Sequence, residues 1–151
     1  MATAVCAVLI PHLAHGQNDA LTPGAVASTD PSEVCAAGYA RSHRLYETDR
    51  AAYWHTVHAV LDAYHVPFAD RRRYEIDHRV PLCLGGSNDV RNLWPQPLAE
   101  ARRKDDIERA ACIAACRDHT LTLDQAQRLF LAPADWHTSG DARPVDPVGT
   151  K

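Results

Sequence analysis

Apolar positions recur at spacings of three and four between Glu47 and Tyr64, where Trp54, Val57, Leu61 and Tyr64 mark one face of a helix. The pattern then shortens. Residues 74–84, YEIDHRVPLCL, form an apolar strand pattern between the charged loop Asp70–Arg73 and the turn cluster GGSND at 85–89. Residues 90–97, VRNLWPQP, read as a loop held down by Leu93 and Trp94, with Trp94 in the core. Helical spacing returns from Leu98 or Ala99 to about Cys116, with an apolar stripe of Ile107, Ala110, Ala111 and Ala114. On that helix Glu100–Lys104 and Asp105–Arg109 are i,i+4 pairs in the favourable order. Thr122-Leu123-Asp124-Gln125 is a capping box that opens a last helix through Leu131, with Trp136 packing its end. Helix, strand–turn–strand, long helix and short helix together predict a small, mainly helical α+β domain.

The ends of the chain differ from this middle. Residues 1–16 carry a short apolar run, Ala2–Ile10, before a small-x-small Ala14-His15-Gly16, which is the pattern of an export segment without its usual leading basic residue. Residues 17–33 mix Asn, Asp, Ser, Thr, Gly and Pro and read as a linker, and residues 138–151 as a frayed tail. The folded domain is expected over 34–137. Five cysteines occur, Cys6, Cys35, Cys83, Cys112 and Cys116, and no two are spaced C-x-x-C. If Cys6 leaves with an export segment, four remain for a secreted or periplasmic protein, although a cytoplasmic location with free thiols fits the same residues. A Cys35 link to Cys116 or Cys112 would pin the start of the domain to its long helix, and Cys83 reads as a free, buried thiol.

Charge narrows the functions further. The net charge of −3 excludes a polycation that coats nucleic acid by bulk charge, and no run of apolar residues is long enough to span a membrane. The segment from Arg71 to Arg109 is different, with nine Lys or Arg against seven Asp or Glu. His55 and His58, three apart on a helix, are more readily surface residues than metal ligands.

The chemistry concentrates in Glu75-Ile76-Asp77-His78, followed by Pro81-Leu82, Gly85-Gly86 and Asn92-Leu93. Hydrolysis of a phosphodiester needs a base that works near neutral pH, for which imidazole is suited, and a cation at the leaving oxygen, which a carboxylate can hold. An Asn side chain after a Gly-Gly turn is suited to clamp the returning chain around the histidine.

The string DHRVPLCLGGSNDVRNL resembles the HNH, or ββα-metal, nuclease family. The wider pattern of YEIDH, NLWPQP, Lys104-Asp105 with Glu108, Cys116 and Ala126-Gln127 is similar to small bacterial and phage HNH-like proteins. Cys35-x-x-Gly38-Tyr39 and Arg44 agree with it upstream, so the resemblance spans about Cys35 to Trp136. It implies a ββα-metal core and the cleavage of DNA or RNA with low sequence specificity. His78 would be the general base, Asn92 would hold the loop and the orientation of His78, and Asp77 would bind a divalent ion, Mg²⁺ or Mn²⁺ before Zn²⁺ or Ni²⁺. Many members add a helix His or Asn as second ligand, and here none occurs from Leu98 to Cys116. Glu100 is the expected substitute, with Asp105, Asp106 and Glu108 as other carboxylates. Arg73, Arg79, Arg102, Arg103 and Lys104 are the expected phosphate contacts, and Glu75 lies behind the metal or pairs with an arginine. The rival expectation is a module that keeps the scaffold without catalysis, as a nucleic-acid-binding or secreted interaction protein.

Overall fold

Asp49 caps the first long helix: its carboxylate accepts from the Ala52 N–H at 2.9 Å, and the helix runs Arg50–Ala63 (α4). Three short turns precede it, Pro31–Val34 (α1), Tyr39–Ser42 (α2) and Leu45–Thr48 (α3). The computed structural model describes residues 17–131, so the export segment, Trp136 and the tail lie outside the described residues. Helix α4 buries Val57, Val60 and Leu61, with Tyr64 just beyond its end, whereas Trp54, expected on this face, sits at its margin and stays exposed.

The charged loop at 70–73 is wound into a 3₁₀ helix, Phe68–Arg73, which leads into strand Tyr74–His78 (β1). The strand stops at His78, and only Leu82–Leu84 of the expected apolar remainder is regular, as a 3₁₀ turn. Residues 93–97, expected as a loop, form strand Leu93–Pro97 (β2), antiparallel to β1 with Asp77 opposite Trp94 and His78 opposite Leu93. Two prolines hid this strand. In a two-stranded ribbon each strand has a free edge where a missing N–H costs nothing. Helix Leu98–Cys116 (α5) follows without a break, and Leu123–Leu131 (α6) closes the described chain. The predicted capping box is present, with the Thr122 N–H donating to Gln125 Oε1 at 2.8 Å and the Gln125 N–H to Thr122 Oγ1 at 3.1 Å. The result is a small α+β domain of helices around one two-stranded antiparallel sheet.

Residues 17–33 are not a loose linker. They form a strap across the β1–β2 connection, bridged at Val26 to Gly86, with the Ser87 N–H donating to Ala25 O at 2.9 Å. The glycine pair permits the approach. Gly85 has φ +77° and a Cβ there would lie 2.4 Å from Ser28 O, while one at Gly86 would lie 1.8 Å from Val80 O. Buried Thr22 donates to Leu93 O at 3.0 Å and shares a 2.6 Å bond with the Tyr64 hydroxyl.

Two apolar cores result. One joins Val80 and Leu84 of the connection to Ala111 and Ala115 of α5 and Ala126 and Phe130 of α6. The other packs Val57, Leu61 and Tyr64 against Leu93 and Trp94 of β2. The buried face of α5 is Ala101, Lys104, Ala111 and Ala115, so the expected stripe is rotated and Ala110 is exposed. Disulfides Cys35–Cys116 and Cys83–Cys112 tie the first core together. Cys83 is therefore not a free thiol: its 3₁₀ turn packs on α5, where Cys112 and Cys116, one turn apart, each meet a different partner.

Candidate active site

Asn92 is fully buried and spends its whole amide on backbone. Its Oδ1 accepts from Val80 N–H at 2.9 Å and Ala25 N–H at 3.2 Å, and its Nδ2 donates to Val80 O at 3.0 Å and Ser87 O at 2.8 Å. It thus locks the start and end of the β1–β2 connection to each other and to the strap. None of these bonds reaches the imidazole, and Asn92 touches His78 only through the backbone that follows it, where Arg79 N–H donates to Asn92 O at 2.7 Å.

Asn88 reaches the imidazole instead. Its Nδ2 donates to His43 O at 2.8 Å, and its Oδ1 lies 2.8 Å from His78 Nε2. These partners fix the protons. A carbonyl only accepts, so the amide group facing His43 O is the NH₂, and the opposite atom is the carbonyl oxygen. That oxygen also only accepts, so His78 Nε2 carries the hydrogen and neutral His78 presents its lone pair at Nδ1. Burial pushes the His78 pKa down, outweighing the Asn88 hydrogen bond and the Asp77 charge that pull it up. Asn88 was legible in the sequence only as one letter of the turn cluster GGSND.

Asp77, one residue earlier, meets α5. The Lys104 ammonium lies 2.5 Å from Asp77 Oδ2, donates to His78 O at 2.7 Å and pairs with Glu108, four residues on. Two of its hydrogens go to His78 O and Glu108, while Asp77 Oδ2 sits against the ammonium as an ion-pair partner and keeps a buried lone pair without a hydrogen bond of its own. Lys104 is only 2% exposed, so it ties β1 to α5 from inside and does not offer its charge to a phosphate. Burial alone would lower its pKa, yet Asp77 and Glu108 together hold it above the ordinary lysine value. The expected Glu100–Lys104 pair is replaced by this triad, and Arg109 pairs with Asp106 at 3.6 Å rather than with Asp105.

One ammonium does not neutralise this corner. Burial pushes Glu108 up to about 7 against the pull of Lys104, and the charge of Asp77 adds to the rise. Burial raises Glu75 as well, reinforced by Asp77 and Asp105. Glu75, Asp77, His78 and Glu108 all border one open cleft of about 370 Å³, together with Asn88 and Arg44. Glu100 does not line it, so Glu108 rather than Glu100 is the helix carboxylate brought to Asp77. Among the described residues no three His, Cys, Asp or Glu side chains are grouped so that they could hold a metal ion together. The donors available are hard carboxylate oxygens in excess of positive charge. That chemistry fits Mg²⁺ or Mn²⁺ held by one or two carboxylates with water and substrate, better than Zn²⁺.

The expected phosphate contacts disperse. Arg79 is 2% exposed: its Nε donates to Phe130 O at 2.8 Å and its Nη1 to Thr22 O at 2.7 Å, and it pairs with Asp19. It anchors the strap to the end of α6 and is withdrawn from any ligand. Arg102 and Arg103 are exposed on α5, but Arg102 is roughly 200° around the helix from Lys104 and faces away from the cleft. Arg73 is exposed at the end of its 3₁₀ helix and borders neither this cleft nor the adjoining groove. Arg44, paired with Glu47 at 3.2 Å, is the arginine that borders the cleft. Comparison with family models, curated proteins and solved structures finds no match to the chain.

Proposed function

We propose that the chain hydrolyses phosphodiester bonds in nucleic acid, with His78 as the base that takes the proton of the attacking water. The observation that carries this reading is the Asn88 bridge from His43 O to His78 Nε2, which leaves neutral His78 with its lone pair on Nδ1, in a residue that borders an open cleft together with Glu75, Asp77 and Glu108. A lowered pKa keeps the imidazole unprotonated at neutral pH, as a base requires. The order β1, β2, α5 around this cleft agrees with the HNH resemblance of the sequence. Asp77 and Glu108 would hold a divalent ion, which when bound would supply positive charge to the leaving oxygen. Arg44 would meet the phosphate from the other wall. Low sequence specificity belongs to the same reading, because the sequence carries no recognition-helix pattern for base readout.

A second reading, a binding module without catalysis, is favoured by one observation, the ammonium of Lys104 already seated against Asp77. Plasmid nicking separates the two. The expected result is cleavage with Mg²⁺ or Mn²⁺ that EDTA stops and His78→Ala lowers by about a hundredfold or more. Calorimetry with Mn²⁺ should show binding that Asp77→Asn removes. Neither cleavage nor binding of the ion would leave the module.

A further inference from the structure

A ribbon of aromatic rings leaves the His78 cleft along α3, α4 and the 3₁₀ turn at 68–73. Tyr46 and Tyr53 border the cleft, 5.2 Å apart between centroids. Tyr53 meets Trp54 at 5.3 Å, Trp54 meets Phe68 at 6.4 Å, and Phe68 stacks on His58 at 4.2 Å. The ribbon is not covered: Tyr46 is 50%, Trp54 41% and Phe68 38% exposed. Arginines lie on it, Arg50 4.0 Å above the Tyr46 ring and Arg71 4.3 Å above Phe68. A second groove, bordered by Trp54, Arg71 and Arg72, shares Tyr53 and Glu75 with the cleft, so the surface is continuous.

Large exposed rings in a connected row, interleaved with guanidinium groups, match one ligand chemistry. Unpaired bases stack on ring faces while arginines follow the phosphates. In a duplex the base faces are occupied by their neighbours and cannot reach the rings. We propose that this ribbon is a stacking platform for single-stranded nucleic acid that leads an unpaired strand to the His78 cleft. The proposal rests on the cleavage reading for its direction, and the platform itself is tested by binding alone.

The test uses the full chain carrying His78→Ala, in EDTA, with a fluorescent oligonucleotide of about 20 nucleotides read by anisotropy. The single strand is expected to bind about tenfold tighter than its duplex. Trp54→Ala and Tyr46→Ala should each cost roughly five- to tenfold in single-strand affinity, leave duplex binding within about twofold, and Trp54→Phe should restore most of the loss. Equal affinity for strand and duplex, or inorganic polyphosphate competing as well as the strand, overturns the platform. So does a dimer in sedimentation that Trp54→Ala dissolves, which would assign the ribbon to self-association. Strand preference without cleavage by the unaltered chain removes the catalytic reading and keeps the platform. Cleavage of strand and duplex alike does the reverse.

Discussion

At the scale of single residues, Asn88 sets the tautomer of His78 on which the proposed base role depends. The hydrogen bond it receives from Nε2 raises the imidazole pKa, while burial lowers it further than that bond restores. Asn88→Ala should therefore do two things at once. It should reduce the plateau of kcat/KM by about tenfold through lost orientation, and it should move the acid limb of the pH–rate profile to lower pH. A merely structural residue would lower the plateau without moving the limb, and an unmoved limb would remove Asn88 from this role. Stability follows the same group. His78 has a depressed folded pKa, so its neutral form adds stability above the ordinary value near 6.5, and that contribution is lost as pH falls through the folded value.

Elements are joined here by charge as much as by apolar area. Lys104 binds the carbonyl end of β1 to α5 through His78 O, Asp77 and Glu108, with almost no exposure. Lys104→Met would leave two part-buried carboxylates facing an apolar side chain, and about 2–3 kcal/mol of stability should be lost in urea unfolding. Adding Glu108→Gln should recover part of that. Glu108 alone has the opposite pH signature to His78. Its raised folded pKa makes its contribution complete below the ordinary glutamate range and lost as pH rises through about 7, so Glu108→Gln should flatten that decline. The three longer helices, α4, α5 and α6, were legible from spacing and the α6 cap from four letters, whereas the short turns α1, α2 and α3 were not. Strand β2 was hidden by its prolines, and the strap by its loop-like composition, since neither Val26↔Gly86 nor the burial of Thr22 leaves a periodic trace. The site was legible in the adjacency of Asp77 and His78. Arg79 and Lys104 were misplaced as phosphate contacts because sequence shows a charge but not the carbonyls that surround it.

For the whole molecule the question is what holds a cleft built on one two-stranded sheet. The disulfides close chain separations of 81 and 29 residues. Chain entropy assigns such loops roughly 3.5–4.5 kcal/mol each, a large share of the about 5–15 kcal/mol that separates folded from unfolded domains. No described helix is long and apolar enough to cross a membrane, and two disulfides fit an oxidising compartment. Reduction should then lower the melting temperature sharply. Cys83→Ser with Cys112→Ser, which spares the longer loop, should cost about 2–4 kcal/mol by itself. Cys83 also borders the cleft, on the same β1–β2 connection that carries Asn88, so the paired variant should lose cleavage earlier in urea than the intact chain loses its helices. Alkylation in denaturant without reductant should leave Cys35, Cys83, Cys112 and Cys116 unmarked, and mark all four after reduction. Four or five marks before reduction, or an unchanged melting temperature after it, would mean that apolar packing and the Lys104 and Arg79 anchors hold the cleft without covalent help.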